Sequence, residues 1–263
     1  MSDFLEIKDL NISFHKWGTI VPAVNGVNFT MDRNEILCIV GESGSGKSVT
    51  AKSLLRLLPS ESTHYNSGEI LFENKDLLKT SKRGLRNIGR KNISMIFQDP
   101  LSSLNPVYKI KRQMIALIRL HDKSIRYKDA YAKAERLLES VEITNTKKVL
   151  ENYPFELSGG MRQRVMIAMA ISSNPSLLIA DEPTTALDVT IQSQILKLLT
   201  QIQKENGLSI MFITHDLSIV YEIADRIIVF QEGLIVEQGT RDEIFYHPKH
   251  DYTKKLLNSM LRI

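Results

Sequence analysis

From Leu5 to Phe14 apolar residues alternate with polar ones, with Leu5, Ile7, Leu10, Ile12 and Phe14 forming the apolar set. A period of two puts such a set on one face of a strand. Trp17-Gly18 marks a turn, and Ile20 to Phe29 predicts a second strand ending near Asp32-Arg33-Asn34. Two strands with a tight link predict an antiparallel piece ahead of the core. Ile36 to Val40 is an apolar run rich in β-branched residues, and it reads as a strand. Val49 to Leu58 reads as a helix that Pro59 ends. The polar stretch Ser60 to Ser67 reads as a loop. Gly68 to Phe72 and Ile93 to Phe97 read as short strands, joined by a basic connector that contains Gly84 and Gly89.

From Val107 to Ser173 the spacing turns helical, as in Met114 to Ile118 and Tyr131 to Val141. No strand signal interrupts it, so this region reads as a helical subdomain inserted between strands of the core. Leu177 to Ala180 is again a short apolar run, now ending in the acids Asp181 and Glu182. A helix with Ile191, Ile195, Leu198, Leu199 and Ile202 on one face follows, and Gly207 ends it. Ser209 to Thr214 predicts a strand, and Ile227 to Phe230 with Leu234 to Gln238 predicts a hairpin around Glu232-Gly233. The expected division is 1–99 for the first part of the core with its antiparallel piece and 100–174 for the helical subdomain. The second part of the core takes 175–240, and a short helical tail takes 241–263.

The candidate chemistry starts at Gly41-Glu42-Ser43-Gly44-Ser45-Gly46-Lys47-Ser48, placed between the apolar run and the helix that begins at Val49. A strand, a glycine-rich turn and a helix start, in that order, are the context in which G-x-x-x-x-G-K-[ST] binds phosphate. Glycines let consecutive backbone N–H groups curl around an anion, and the helix N-terminus adds partial positive charge there. Lys47 is placed to reach the β- and γ-phosphates, and the Ser48 hydroxyl to ligate Mg²⁺. The plain alternative is a flexible glycine-serine loop, against which the complete pattern weighs heavily.

Four further sites carry chemistry only in that company. Gln98 closes a strand ahead of Asp99-Pro100 and Asn105-Pro106, a hinge-like transition. Its amide can offer oxygen to Mg²⁺ and N–H to water, although a strand-end glutamine alone is usually a cap. Leu157-Ser158-Gly159-Gly160 opens an apolar helix with an N-cap serine and two glycines, a second anion-binding helix start. One loop cannot wrap a nucleotide already held by Lys47, so this turn points to a nucleotide on another subunit. Asp181 and Glu182 stand at the C-terminal end of a strand, where ligands sit in open α/β sheets. Asp181 suits Mg²⁺ held through water and Glu182 suits polarising the attacking water; the plain alternative is a cap on the next turn. His215 ends another strand, where a neutral imidazole can contact the γ-phosphate and the water. Phe14 or Trp17 can stack on an adenine ring, with ordinary packing as the competing role.

Composition narrows the class. The 263 residues are 43% hydrophobic and 24% charged, ordinary globular proportions that can bury a sizeable core. The net charge of +4 comes from scattered basic residues, whereas a nucleic-acid footprint gathers them on one face. The lone Cys38, inside an apolar strand, excludes an internal disulfide and a cysteine metal cluster and fits a reducing cytosol. No basic segment followed by an apolar core opens the chain, so no signal peptide is expected. No run approaches the ~20 apolar residues that span a bilayer. Membrane association is therefore expected only through a partner. His247, His250 and Asp251 fit no standard metal spacing and read as a solvated turn before a short helix.

Taken together, the glycine loop, Gln98, Leu157-Ser158-Gly159-Gly160, Asp181-Glu182, Asp188 and His215 resemble an ATP-binding cassette transporter ATPase over nearly the whole chain. The serine-glycine-glycine signature is the most specific element, because other P-loop families lack it. The strings from Phe97 to Pro106, Met161 to Ala170 and Ala180 to Thr190 resemble the oligopeptide, dipeptide and nickel import group, and within it the first of two non-identical ATPase subunits. The resemblance implies an α/β fold: a P-loop NTPase (RecA-like) core with an antiparallel β subdomain and an inserted α-helical subdomain. It implies ATP and Mg²⁺ as cofactors. ATP would lie against Gly41 to Val49 and Phe14 of one subunit and Ser158, Gly159, Gly160 and Asp188 of the other. Mg²⁺ would lie at Ser48, Gln98 and Asp181, with Glu182, His215 and Gln98 catalytic. The implied partners are a second homologous ATPase subunit (or another copy of this chain), two integral membrane permeases and, through them, an extracytoplasmic binding protein. The implied location is peripheral, at the cytoplasmic face of the membrane, and no nucleic acid is implied. Peptide importers of this type often carry a longer C-terminal extension, sometimes with cysteines; with the chain ending at Ile263, no iron–sulfur tail is expected. Peptide versus nickel or metal-chelate cargo stays open. The rival reading is a non-transport ATPase of the same superfamily acting on nucleic acid or ribosomes, which usually shows a coiled-coil insertion or tandem cassettes. A nucleotide switch that never turns over is disfavoured by Glu182 and His215.

Overall fold

The computed structural model describes residues 4–16, 18–98, 103–185 and 187–260. The chain runs β1 (Leu5–Lys16), β2 (Thr19–Met31), β3 (Ile36–Val40), α1 (Lys47–Ser53), β4 (Thr63–Phe72), β5 (Lys75–Asp76), α2 (Lys82–Lys91) and β6 (Ile93–Ile96). Among the described residues there follow α3 (Ile110–His121), α4 (Tyr127–Ser140), α5 (Thr146–Glu151), a 3₁₀ turn at Pro154–Glu156 and α6 (Gly159–Ile171). Then come β7 (Leu177–Asp181), α7 (Val189–Asn206), β8 (Ser209–Thr214), α8 (Leu217–Ile223), β9 (Arg226–Gln231), β10 (Leu234–Thr240), α9 (Arg241–Tyr246) and α10 (Asp251–Met260). Two compact units result, one made of the chain up to Asn87 together with Ser209 onward, the other of Ile88–Leu208.

In the first unit β1 pairs antiparallel with β2 and β4, and β4 with β5. Leu5, Ile7, Leu10 and Ile12 are buried, with a shift in register between Ile7 and Leu10 that brings both pairs to one face, whereas beyond Ile12 it is Ser13 that is buried and Phe14 is half-buried. In the same unit β3 lies between β8 and β9, parallel to both, and β10 folds back antiparallel on β9. All five residues of β3 are buried, as are all six of β8. Strands covered on both faces read as near-continuous apolar runs; β3 is one, and β8 is one between Ser209 and Thr214. Cys38 lies wholly buried there, and burial pushes its thiol pKa up, so it acts as a small core residue. In the second unit β6 and β7 pair parallel. The helical stretch expected from Val107 onward is present as α3 to α6. Helix α7 buries Ile195, Leu198, Leu199 and Ile202, and Gly207 caps it at φ +61°. Among the described residues no helix is long and apolar enough to cross a membrane.

Three sequence expectations change. The polar stretch read as a loop is half strand. Thr63 to Ser67 pairs with β1, Thr63 facing Phe14 and Tyr65 facing Ile12, so neighbouring backbone rather than side-chain type decides it. The basic connector is the helix α2, which the Ser81 hydroxyl starts by accepting the Gly84 N–H, and which turns Leu85 and Ile88 inward. The helix expected to reach Leu58 stops at Ser53, because Arg56 takes φ +48°: the Leu54 and Arg56 N–H groups bond i→i−3, and the Leu57 N–H reaches back to the Lys52 carbonyl.

Candidate functional site

The glycine loop leaves the buried end of β3 and enters α1 within the first unit. Gly46 sits at φ +103°, and a Cβ there would lie 2.5 Å from the Ala23 carbonyl oxygen. Only glycine meets both demands. From Gly46 the helix starts cleanly, its carbonyl accepting the Thr50 N–H at 2.9 Å and the Thr50 hydroxyl at 3.0 Å. The other side of the loop rests on the β9–β10 turn: the Gly233 N–H donates to the Ser45 carbonyl at 2.9 Å, and the Gly233 carbonyl accepts the Asn25 N–H at 2.8 Å. Lys47 is only 4% exposed. Its Nζ donates to the carbonyls of Gly41 at 2.7 Å and Glu42 at 2.8 Å. The ammonium is thus curled over the loop that its side chain belongs to. Glu42, Ser43 and Gly44 are exposed at the rim, Ser45 is buried, and Ser48 and Val49 are half-buried in the first turn of α1.

The acidic strand end lies in the second unit. Asp181 closes β7 and is 1% exposed. Glu182 follows at φ +49°, a left-handed conformation rare for a residue with a side chain. Its Oε2 accepts the Gln98 amide N–H at 2.8 Å and the Thr185 hydroxyl at 3.1 Å. Two residues that the sequence assigns to one reaction therefore meet. One N–H of the Gln98 amide goes to the carboxylate.

The serine turn is also in this unit. Ser158 is exposed and caps α6, its hydroxyl accepting the Met161 N–H at 3.3 Å. Asp188 caps α7 in the same way, accepting the Ile191 N–H at 2.9 Å. The two caps are neighbours: a Cβ on Gly160 would lie 2.7 Å from Ile191 Cγ2, and one on Gly159 would lie 3.4 Å from Leu187 Cδ2. Sequence spacing assigned Ile191 to the buried face of a helix; here it is half-buried against the signature glycine.

His215 is exposed directly after β8. Phe14 is half-buried on β1, opposite Val21 and Thr63, and its neighbour His15 stacks on His64 with centroids 3.8 Å apart. The other adenine-stacking candidate, Trp17, and the Asp99–Ser102 part of the hinge lie outside the described residues. Ser48 hydroxyl, Gln98 amide and Asp181 carboxylate are all hard oxygen donors, a set that suits Mg²⁺. Among the described residues no group of three or more His, Cys, Asp or Glu is placed to hold a metal ion. His250 serves the tail turn instead: its Nδ1 accepts the Tyr252 N–H at 3.2 Å. Sequence reasoning missed Ala23, Gly233 and Tyr252, which meet the glycine loop through a backbone carbonyl, a backbone N–H and a side-chain hydroxyl respectively.

A family model described as "ABC transporter" matches residues 24–185. The chain is 54% identical over 256 residues to the oligopeptide transport ATP-binding protein OppD of Bacillus subtilis (strain 168), covering 97% of this chain and 71% of that protein. It is 47% identical to the dipeptide transport ATP-binding protein DppD of the same organism, covering 100% of this chain and 78% of the relative. Among solved structures it is similar to the ATP-binding cassette MJ0796, a dimer in a post-hydrolysis state bound to ADP and Pi. That match has TM-score 0.80 and 26% identity over 90% of this chain and 98% of the other.

Proposed function

The chain belongs to the ABC transporter family as an ATP-hydrolysing, nucleotide-binding subunit, and on that premise we propose that it drives uptake of short peptides through partner permeases. The observation that carries this reading is the extent of the likeness to an oligopeptide and a dipeptide transport protein, which runs through all the candidate motifs. The subunit works at the cytoplasmic face of the membrane, alongside two integral permeases that take cargo from an extracytoplasmic binding protein. Its ATPase partner is a second homologous subunit set head to tail, so that each Ser158 turn serves the nucleotide of the other. The exposure of Ser158 supports that role.

In the chemistry, the loop from Gly41 to Val49 grips the triphosphate with backbone N–H groups and Lys47. Ser48, Asp181 and Gln98 hold Mg²⁺, which when bound neutralises charge on the phosphates. Phe14 packs on the adenine. Glu182, held by Gln98 and Thr185, orients a water molecule for in-line attack on the γ-phosphate, and His215 contacts that phosphate. The partner's Ser158, Gly159 and Gly160 amides add preorganised positive ends opposite the developing charge. Closure of the two subunits completes the site, which ties hydrolysis to rigid-body motion.

The test is steady-state hydrolysis by the chain assembled with its cognate permeases. Glu182→Gln is expected to retain ATP and to lower the rate about 10²- to 10⁴-fold, the usual worth of a positioned acid–base group. Peptide-loaded binding protein is expected to stimulate the parent complex. Stimulation by nickel chelates alone refutes the cargo, an unchanged rate in Glu182→Gln refutes the base, and DNA-stimulated hydrolysis by the purified chain refutes transport.

A further inference from the structure

The peptide unit between Gly41 and Glu42 is used from both ends. Its carbonyl, on Gly41, accepts Lys47 Nζ at 2.7 Å. Its N–H, on Glu42, donates to the hydroxyl of Tyr252 at 3.2 Å. A trans peptide is planar, so its N–H and C=O point in opposite directions, and fixing one end fixes the other. Local sterics hold this unit weakly. Gly41 is at φ +146°, and it must be glycine because a Cβ would lie 2.2 Å from the Phe230 carbonyl oxygen. With no Cβ on that side, the plane can rotate far more freely than an ordinary peptide. A restraint from outside the loop therefore matters here.

Tyr252 is itself well anchored. It lies in the first turn of α10, which packs against β10 and α8. The turn before that helix is tied to β10 by Glu237, whose two carboxylate oxygens accept the N–H groups of Lys249 at 2.8 Å and His250 at 3.0 Å. The next residue, Thr253, is 1% exposed and sets the helix face. A rigid ring on a docked helix thus delivers one hydroxyl to the second residue of the phosphate loop.

We propose that Tyr252 is a positioning residue for the phosphate-binding loop: through the Gly41–Glu42 peptide it orients the carbonyl that holds Lys47, so the C-terminal helix sets the lysine's readiness for phosphate. This rests on the loop's role in gripping ATP.

The test compares the full-length chain with Tyr252→Phe, which keeps the ring and removes only the hydroxyl. MgATP affinity is read by nucleotide titration, and exchange of the residue 41–48 amides by mass spectrometry. One lost hydrogen bond is expected to weaken MgATP binding about 3- to 10-fold. Exchange across residues 41–48 should speed up while the melting temperature and exchange in β3 stay as in the parent. Glu237→Gln, which loosens the anchor, should show the same effect more weakly. Unchanged affinity in Tyr252→Phe overturns the proposal, and so does a loss of affinity that comes with a lower melting temperature and faster exchange throughout the unit. Failure of the parent chain to bind MgATP would instead strike at the loop's own role.

Discussion

Substituting Gly160 by alanine sets two opposing effects against each other. Gly160 is the second residue of α6 and is not among the positive-φ glycines, so its backbone accepts alanine readily. On helix propensity alone the change stabilises by about 0.5–1 kcal/mol. Against that, the new Cβ lands 2.7 Å from Ile191 Cγ2, 3.6 Å from Cδ1 and 3.8 Å from Cγ1. A β-branched side chain in a helix has one strongly preferred rotamer, so Ile191 cannot simply turn away. Its backbone is also held, by the 2.9 Å bond from its N–H to Asp188. Overpacking of this kind costs about 1–3 kcal/mol, so the net expectation for Gly160→Ala is about 1–2 kcal/mol of destabilisation.

Ile191→Ala alone removes a half-buried side chain and is expected to cost about 1–2 kcal/mol. Together the two changes relieve the clash, so the double variant should be no less stable than Ile191→Ala. The coupling energy is then about 2 kcal/mol in the favourable direction, within the range seen for residues in contact. Urea denaturation midpoints of the four proteins give the cycle. Hydrolysis by the assembled complex then separates packing from chemistry. Activity that returns with stability means that Gly160 is needed to let α6 approach α7; activity that stays lost means that the Cβ obstructs the nucleotide. A Gly160→Ala protein as stable as the parent, or a coupling energy near zero, refutes the reasoning.

Lys47→Ala should weaken MgATP binding about 10- to 100-fold, since charge-assisted hydrogen bonds are worth about 1.5–3 kcal/mol; an unchanged titration curve excludes this role. Glu35 offers a pH signature. It is 7% exposed, and burial raises its carboxyl above its ordinary 4.5 despite the Asp32 N–H and the Arg226 guanidinium 3.1 Å away. The folded chain then holds this proton more tightly than the unfolded one. The group's favourable contribution is complete below pH 4.5 and is lost as pH rises through the folded value. Relative to Glu35→Gln, the parent should gain melting temperature as pH falls from neutral toward 4.5, and a gap that moves the other way contradicts the assignment.

Elements were legible where local pattern and tertiary demand coincide. Strands β3, β7 and β8 are buried on both faces, so their sequences are near-continuous apolar runs, with polar residues only at the ends (Asp181, Ser209 and Thr214); α7 carries a broad apolar stripe and a glycine stop. Legibility failed where a neighbour supplied the order. Thr63 to Ser67 has no buried run of its own and becomes strand because β1 offers it a ladder. Helix α2 buries only Leu85 and Ile88 as large apolar residues and contains two glycines, too weak a stripe to separate from a basic linker. The site divides along the same line. Residues contiguous in a motif were readable, whereas Ala23, Gly233 and Tyr252 touch the phosphate loop through a carbonyl, an amide and one hydroxyl, which leave no pattern in the chain.

The acids after β7 show how geometry weighs two readings of the same residues. Asp181-Glu182 followed by proline and threonines suits either a turn cap or a hydrolytic pair. If the turn needed the Glu182 carboxylate to close it, that carboxylate would be engaged only with the turn's own groups. In the structure the turn is closed by backbone, from the Thr185 N–H to the Glu182 carbonyl at 3.3 Å. The carboxylate adds the Thr185 hydroxyl, but it also takes the amide of Gln98, 84 residues away in the sequence. A left-handed backbone at a residue with a side chain costs about 1 kcal/mol or more and persists only where its surroundings enforce it. Glutamate at φ +49° with a distant side chain engaged on its carboxylate is poor economy for a cap, since asparagine or glycine would serve a turn better. It suits a carboxylate held facing one direction, which is what the proposed orienting of a water for in-line attack would demand.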